Sequence, residues 1–176
     1  MHLLTYADKT PVIEKSCFLA DGCAVVGDVT LAKNVSVWFN AVLRGDIDRI
    51  MVGANSNIQD NATLHCSAGK PVSIGKNVSV GHHAVVHGAT VGDNVLIGMG
   101  AILLDGAVIG ANSIIGAGAV VTENKVIPEN ALVVGIPGKV VGTLGETERQ
   151  ANLDRAARYA ALAKEYRDAE EKKKEV

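Results

Sequence analysis

The residues of this sequence with the clearest capacity for chemistry are its histidines. Four of the five lie between residues 65 and 87, and His65, His82 and His87 form a candidate ligand set for a metal ion. Yet His82 and His87 are five residues apart, so they would point about 140° apart on a helix and to opposite faces of a flat strand. Only a particular surrounding architecture could bring these side chains to one ion.

Composition restricts the class of protein. The chain has 176 residues, enough for one domain with a sizeable core, and its net charge of −2 gives no reason to expect nucleic acid or a membrane as a partner. No apolar run approaches the ~20 residues that span a bilayer, and residues 1–6 lack the order of a signal peptide. Three cysteines, an odd number, favour a reducing compartment. We therefore expect a cytoplasmic protein.

An aliphatic residue recurs every six positions over some 120 residues. The positions are Ile13, Leu19, Val25, Leu31, Val37, Leu43, Val52, Ile58, Leu64, Ile74, Val80, Val86, Val91, Ile97, Leu103, Ile109, Ile115, Val121, Ile127 and Val133. This hexapeptide repeat is typical of a parallel β-helix with a triangular cross-section, in which three six-residue units make one turn and Gly or Asn takes the corners. It predicts about seven turns, and we expect loops where it breaks, at 47–51 and 67–73.

The repeat ends near residue 142, and the remainder of the chain has a different character. Residues 147–150 have the form of a capping box, and residues 148–172 carry a thin apolar stripe that predicts a helix. The expected organisation is a β-helix over 1–142 and, over 143–176, a C-terminal helix packed on the β-helix with a charged tail at 170–175.

Placing polar residues on the predicted turns shows which of them can meet. His65 and His87 each follow the third unit of a turn, so they lie at one corner on neighbouring turns, in a column with Arg44. His82 lies at a different corner, with Asp60. If all three histidines bind one ion, His82 must come from a neighbouring subunit, and a triangular prism suits closure into a ring of three.

Three imidazoles with one open position are the ligand set of a catalytic zinc ion, which makes bound water a nucleophile at neutral pH. The alternative is a metal-free solenoid with surface histidines. His83 points away from His82 and is expected to be structural or to face solvent. Gln59 either hydrogen-bonds at a corner or orients the metal hydroxide. Alternation turns Cys66 inward, away from the metal.

These features resemble the γ-class carbonic anhydrase family of left-handed β-helix trimers. The resemblance covers nearly the whole chain and is carried by 43–46 (LRGD), 57–61 (NIQDN), 64–65 (LH), 81–88 (GHHAVVHG), 97–101 (IGMGA) and 135–137 (GIP). It implies an all-β, left-handed parallel β-helix with a C-terminal α-helix, assembled as a homotrimer. It also implies that His65 and His87 of one subunit and His82 of the next bind zinc.

The resemblance assigns further roles. Gln59 is similar to a glutamine that hydrogen-bonds the metal hydroxide, and Asn57 to the asparagine beside it. Arg44 and Asp60 are similar to an arginine and an aspartate that form an ion pair between neighbouring subunits. Tyr159 is similar to a tyrosine that reaches the site from the C-terminal helix.

In one respect the sequence departs from the family pattern. Prototype members carry glutamate proton shuttles after the Arg-Gly-Asp segment and after the first histidine ligand, whereas 47–51 and 66–70 contain no glutamate here. Hydration of CO2 releases a proton that must reach solvent in every cycle. We therefore expect slow turnover, or proton transfer by another group such as Asp48 or His83.

The predicted function is reversible hydration of CO2 to bicarbonate by a homotrimeric zinc lyase, with Fe2+ or Co2+ also compatible with the ligands. One alternative is a hexapeptide acyltransferase in which a histidine acts as base on a CoA-linked acyl group. Others are a metal-binding scaffold with little hydration activity and a hydrolase of, for instance, thioesters.

Overall fold

The computed structural model describes residues 1–174, which form a long coil of short strands followed by one helix. The strands are β1 (His2–Leu4), β2 (Val12–Ile13), β3 (Phe18–Leu19), β4 (Ala24–Leu31), β5 (Ser36–Val37), β6 (Val42–Val52), β7 (Asn57–Ile58), β8 (Thr63–His65), β9 (Val72–Ile74), β10 (Ser79–Val80), β11 (Val85–His87), β12 (Thr90–Val91), β13 (Leu96–Ile97), β14 (Ile102–Leu103), β15 (Val108–Ile109), β16 (Ile114–Ile115), β17 (Val120–Val121), β18 (Val126–Ile127), β19 (Ala131–Val134) and β20 (Lys139–Thr143); the helix is α1 (Glu146–Lys174). No helix within residues 1–174 combines the length and apolarity needed to cross a membrane.

Strands from successive turns pair in parallel and build three faces. The first face stacks β9, β12, β15 and β18, the second runs from β3 to β19 with β20 at its edge, and the third stacks β8, β11, β14 and β17. Strands β4 and β6 are long enough to pass through the corner from the third face to the first. The predicted parallel β-helix of about seven turns is therefore confirmed.

The expected loop at 47–51 is wrong. These residues lie within β6, which continues through them and pairs with β4 on both sides. Gly27 pairs with Gly45, but Val29 already pairs with Ile50, so the extra residues are absorbed as a bulge in one strand. Bulges of this kind bend a strand without ending it. The second break does form a turn, closed by a bridge between Ser67 and Lys70.

The repeated aliphatic side chains fill the prism. Leu64, Val80, Val86 and Ile97 are fully buried in one continuous cluster that follows the axis of the coil. Because side chains alternate along each short strand, the neighbours of these residues face outward. The core is therefore a stack of aliphatic layers, one per turn.

One corner of the prism is held by a column of asparagines with positive φ: Asn34, Asn55, Asn77, Asn94, Asn112 and Asn130. Asparagine tolerates this left-handed conformation better than most residues. Its side chain also joins turns, since Nδ2 of Asn34 donates to Oδ1 of Asn55 at 3.1 Å and Nδ2 of Asn55 donates to Oδ1 of Asn77 at 3.1 Å. The asparagines predicted at the corners therefore both turn the chain and hydrogen-bond one turn to the next.

The helix begins at Glu146, two residues before its predicted start. Its N-terminus is capped by Glu148, whose Oε2 accepts a hydrogen bond from the backbone N–H of Gly145 at 2.9 Å, so the capping interaction lies two residues earlier than predicted. The helix extends to Lys174. Residue 175 of the predicted charged tail lies outside the described residues.

Helix α1 runs back along the second face. Near its start, Nη1 of Arg149 donates to Oδ1 of Asn130 at 3.2 Å, in the last turn of the coil. Near its end, Arg167 donates to the carbonyl of Ser16, in the first turn. Between these points Ala163 packs with Phe18 and Trp38 of the second face. The helix therefore covers this face from one end to the other.

Close stacking of turns predicts a steric limit at Gly110. A Cβ there would lie 2.4 Å from the backbone N of Glu129 and 2.6 Å from the carbonyl C of Pro128, so Gly110→Ala must push two turns apart. We expect a loss of about 1–3 kcal/mol or more in the free energy of unfolding, measured by urea denaturation. Gly142→Ala is the matched control because its Cβ would meet only Leu132, at 4.0 Å. Equal effects of the two substitutions would contradict tight stacking.

Candidate metal centre

The register of the third face brings His65 and His87 together. In the paired strands Arg44 aligns with His65, and His65 with His87, as the repeat predicts. The two imidazoles face each other, with Nδ1 of His65 3.0 Å from Nε2 of His87. Both rings are partly buried at the corner between the third and first faces.

A carboxylate holds the far nitrogen of each ring. Nε2 of His65 lies 3.1 Å from Oδ1 of Asp46, and Nδ1 of His87 lies 2.6 Å from Oδ1 of Asp105. The hydrogen bonds from His87 and then Ser67 lower the pKa of Asp105. Burial acts to raise the pKa of Asp46, but hydrogen bonds from Arg44 and His65 outweigh it and the net pKa is lowered. Both carboxylates are therefore ionised at neutral pH.

This arrangement suits a cation between the rings. An ionised carboxylate only accepts hydrogen bonds, so each neutral imidazole must place its single proton on the nitrogen that faces its carboxylate. Nδ1 of His65 and Nε2 of His87 then present lone pairs to each other across 3.0 Å. Two lone pairs at this distance repel unless a proton or a metal ion lies between them. The donor set, two imidazole nitrogens backed by carboxylates, suits a divalent transition metal.

His82 repeats the pattern at the corner between the second and third faces. Its Nδ1 lies 2.8 Å from Oδ2 of Asp60, which leaves Nε2 as the free nitrogen of a partly exposed ring. No group of three or more His, Cys, Asp or Glu side chains among the described residues is placed to hold a metal ion. One chain thus offers a histidine pair at one corner and a single histidine at another, as the prediction of a shared site requires.

Arg44 and Asp60 each have a partner within the chain. Nη1 of Arg44 lies 2.5 Å from Oδ2 of Asp46, whereas Asp60 is paired with His82. The ion pair between Arg44 and Asp60 of neighbouring subunits stays a prediction.

A relay of hydrogen bonds fixes the orientation of Gln59. Nδ2 of Asn57 donates to Oγ of Ser79 at 2.9 Å, and Nε2 of Gln59 donates to Oδ1 of Asn57 at 3.0 Å. All three residues are buried. Because Nε2 of Gln59 is engaged, Oε1 is the atom left to accept a hydrogen bond from a molecule beside it.

Gln59 and His82 line a cleft of about 340 Å³ between the second face and helix α1. Much of its wall is apolar, formed by Leu96, Ile97, Ile114 and Ile115, and the helix contributes Tyr159 and Arg155. The ring of Tyr159 packs edge-on against Trp38 at 5.5 Å between centroids.

Tyr159 therefore lines the same cleft as Gln59 and His82, and its role at a metal site stays a prediction. Burial, and then the charge of Asp60, raises the pKa of the Tyr159 hydroxyl, so this group remains a hydrogen-bond donor at neutral pH.

The two candidates for proton transfer differ in position. His83 lies exposed at its corner with a φ of 58°, in the left-handed region, as expected for a residue that turns away from His82. Asp48 lies in the bulge of β6, where its Oδ1 accepts a hydrogen bond from the backbone N–H of Arg49 at 2.7 Å. Cys66 is fully buried, as predicted, and burial raises the pKa of its thiol.

Sequence reasoning did not find Asp105 or Arg155. A signal existed for Asp105: the next turn is one residue short, so Val86 aligns with Leu103, and Asp105 follows two residues later at the same corner as His87. No comparable signal existed for Arg155, because an alanine-rich helix can present several faces to the coil.

Comparison with known proteins agrees with this architecture. The family model described as "Bacterial transferase hexapeptide (six repeats)" matches residues 88–123. A crystallised "hexapeptide transferase family protein" from Anaplasma phagocytophilum superimposes with a TM-score of 0.90 and 37% identity, covering 94% of this chain and 98% of that one. The fold and these matches define a hexapeptide-repeat β-helix protein.

Two relatives show which family of hexapeptide-repeat proteins this chain belongs to. A "Probable carbonic anhydrase" from Methanocaldococcus jannaschii is 52% identical over 152 residues, which cover 86% of this chain and 96% of that protein. A "Carbonic anhydrase" from Geobacillus kaustophilus is 42% identical over 175 residues, which cover 96% of each. The chain belongs to the γ-class carbonic anhydrase family.

The role of Asp105 leads to a prediction. Asp105→Asn replaces an ionised acceptor with an amide, so the proton of His87 is no longer held on Nδ1 and Nε2 is less available as a ligand. We expect Zn2+ affinity, measured by competition with a chelating dye, to fall about 10- to 100-fold. In the metal-free protein, the imidazole 15N shifts of His87 should show a mixture of tautomers.

Asp93→Asn is the matched control, because Asp93 accepts a backbone hydrogen bond from Lys76 at another corner and contacts no histidine. Unchanged Zn2+ affinity and unchanged 15N shifts in Asp105→Asn would contradict the role given to this carboxylate.

Proposed function

We propose that this protein is a homotrimeric, metal-dependent carbonic anhydrase whose sites lie between subunits. The observation that carries this proposal is the pair of imidazole nitrogens 3.0 Å apart, each ring fixed by its own carboxylate, with a third carboxylate-bound imidazole at the next corner. In this proposal His65 and His87 of one subunit and His82 of its neighbour hold the ion. Zn2+ is the favoured metal, and Fe2+ and Co2+ fit the same donors.

The third face supports the association of subunits. Its outward column consists of Val42, Thr63, Val85, Ile102 and Val120, aligned turn by turn and only partly buried. This apolar column lies between the corner of His82 and the corner of His65 and His87. A partner packed against it would bring these two corners of different subunits together, and repetition of the contact closes a ring.

The site residues divide the chemical work. A divalent ion held by three imidazoles keeps one open position and makes water acidic enough to act as a nucleophile at neutral pH. Oε1 of Gln59, fixed through Asn57 and Ser79, accepts a hydrogen bond and so orients the attacking group. The apolar wall of the cleft, with Ile97 and Ile114, admits an uncharged, non-polar substrate such as CO2.

Proton release remains the slow step in this proposal, because neither residues 47–51 nor residues 66–70, which flank the site, include a glutamate. His83 directly follows His82 and is exposed, and an exposed imidazole is suited to proton exchange with buffer. Asp48 is less suited, since its carboxylate is engaged with the backbone of Arg49.

An acyltransferase is the second candidate. The word "transferase" in the matched family model and in the Anaplasma phagocytophilum relative favours it. It predicts that CoA raises the melting temperature, whereas the carbonic anhydrase proposal predicts CO2 hydration by Zn2+- or Fe2+-loaded protein. No hydration above background at any pH with either metal would exclude our proposal.

Mixed trimers test whether His82 is contributed by a neighbour. Subunits with His82→Ala and subunits with His87→Ala, each expected to be inactive alone, are co-expressed with different tags and purified as mixed trimers. In a ring of three, every mixed trimer has one interface that joins an intact His65–His87 pair to an intact His82, so we expect about one third of wild-type activity.

The controls are trimers of each single variant carrying both tags. Absence of recovery in mixed trimers that bind at least one metal ion per trimer would contradict a site shared between subunits.

A further inference from the structure

The cleft beside His82 contains a cation that the hydration chemistry does not use. Arg155 lines the cleft from helix α1, and its side chain is partly buried. Its Nη1 donates to Oδ1 of Asn152 at 3.2 Å. Among the side chains that the structure describes, no Asp or Glu carboxylate lies within 4 Å of its guanidinium. Asp60, whose charge acts on the neighbouring Tyr159, is paired with His82.

The other three arginines of the helix do not line this cleft. Arg149 forms an ion pair with Glu146, and Arg167 donates to the carbonyl of Ser16. Arg158 is exposed and does not line the cleft. Arg155 thus stands apart as a guanidinium that faces a partly apolar cavity while most of its donors remain available.

Tyr159 adds a second donor. It follows Arg155 by four residues, so both side chains lie on the same side of the helix, and both line the cleft. The Tyr159 hydroxyl stays protonated at neutral pH, since burial raises its pKa. A guanidinium and a hydroxyl beside an apolar wall match a small molecule with a carboxylate group, because guanidinium binds this group through two parallel hydrogen bonds.

We propose that Arg155 binds the carboxylate group of a small monoanion in the cleft beside His82. Two sources present this chemistry: bicarbonate, the product of the proposed reaction, and a short-chain carboxylate whose apolar part would contact Ile97 and Ile114. The first source rests on the proposed function. The cleft, at about 340 Å³, lies within the range of small-molecule sites and has room for either.

Anion titrations of the trimer test this assignment. Binding of bicarbonate and of butyrate is measured by calorimetry, with metal-free and with Zn2+-loaded protein. Arg155→Gln should weaken binding of the recognised anion about 10- to 100-fold, as expected for loss of charge-assisted hydrogen bonds. Arg155→Lys should weaken it less, because the charge remains and the paired geometry is lost.

Arg158→Gln is the matched control, with the same change of charge on an exposed part of the same helix. Binding of bicarbonate alone identifies the product, and binding of butyrate identifies a carboxylate ligand with an apolar part; both support the assignment if Arg155→Gln weakens them. If wild-type protein binds neither anion, or if Arg158→Gln weakens binding equally, Arg155 is not an anion site.

The same titrations separate this inference from the proposed function. Loss of anion binding in metal-free Arg155→Gln supports the site even if the loaded enzyme fails to hydrate CO2. Conversely, hydration activity with normal anion binding in Arg155→Gln supports the enzyme and overturns the site. Circular dichroism and thermal unfolding of Arg155→Lys and Arg155→Gln show whether each variant is folded.

Discussion

Parallel hydrogen bonding between successive turns is the interaction on which the site depends. It fixes which residues become neighbours, so that His65 meets His87 although 22 residues separate them. A shift of one residue in this register would turn the imidazoles inward and the aliphatic residues Leu64 and Val86 outward. The aliphatic core therefore determines the position of the histidines, because only one register buries the apolar side chains.

Register fixes where the imidazole rings lie, and three carboxylates fix which nitrogen of each ring carries the proton. Asp46, Asp60 and Asp105 each contact one histidine of the candidate ligand set, at distances between 2.6 and 3.1 Å. A carboxylate that accepts the proton of one ring nitrogen leaves the other nitrogen with its lone pair. The short segment after His65 also stabilises one of these carboxylates. Its Ser67 hydrogen-bonds to Asp105 and so helps to keep Asp105 ionised.

The period of six in the sequence allowed accurate prediction of the coil and of which histidines share a corner. It placed His65, His87 and Arg44 in one column and His82 at another corner, because position in a repeat determines position on the prism. It did not reveal the bulge in β6, since an interruption of the pattern looks the same whether the chain leaves the sheet or bends within it. It also missed Arg155, because the helix carries small residues on several sides and its contacts depend on docking.

Because helix α1 spans the coil from its last turn to its first, the number of turns determines which residues of the helix line the cleft. It starts beside Asn130 in the last turn and returns to Ser16 in the first, and on the way it delivers Tyr159 to Trp38. One turn of the coil measures about 4.8 Å and one helical residue about 1.5 Å, so roughly three helical residues match one turn. An evolutionary insertion of a whole turn after the histidines would leave their column intact but would draw Tyr159 out of the cleft. Natural changes in the number of turns should therefore be accompanied by compensating changes of about three residues in the first part of the helix.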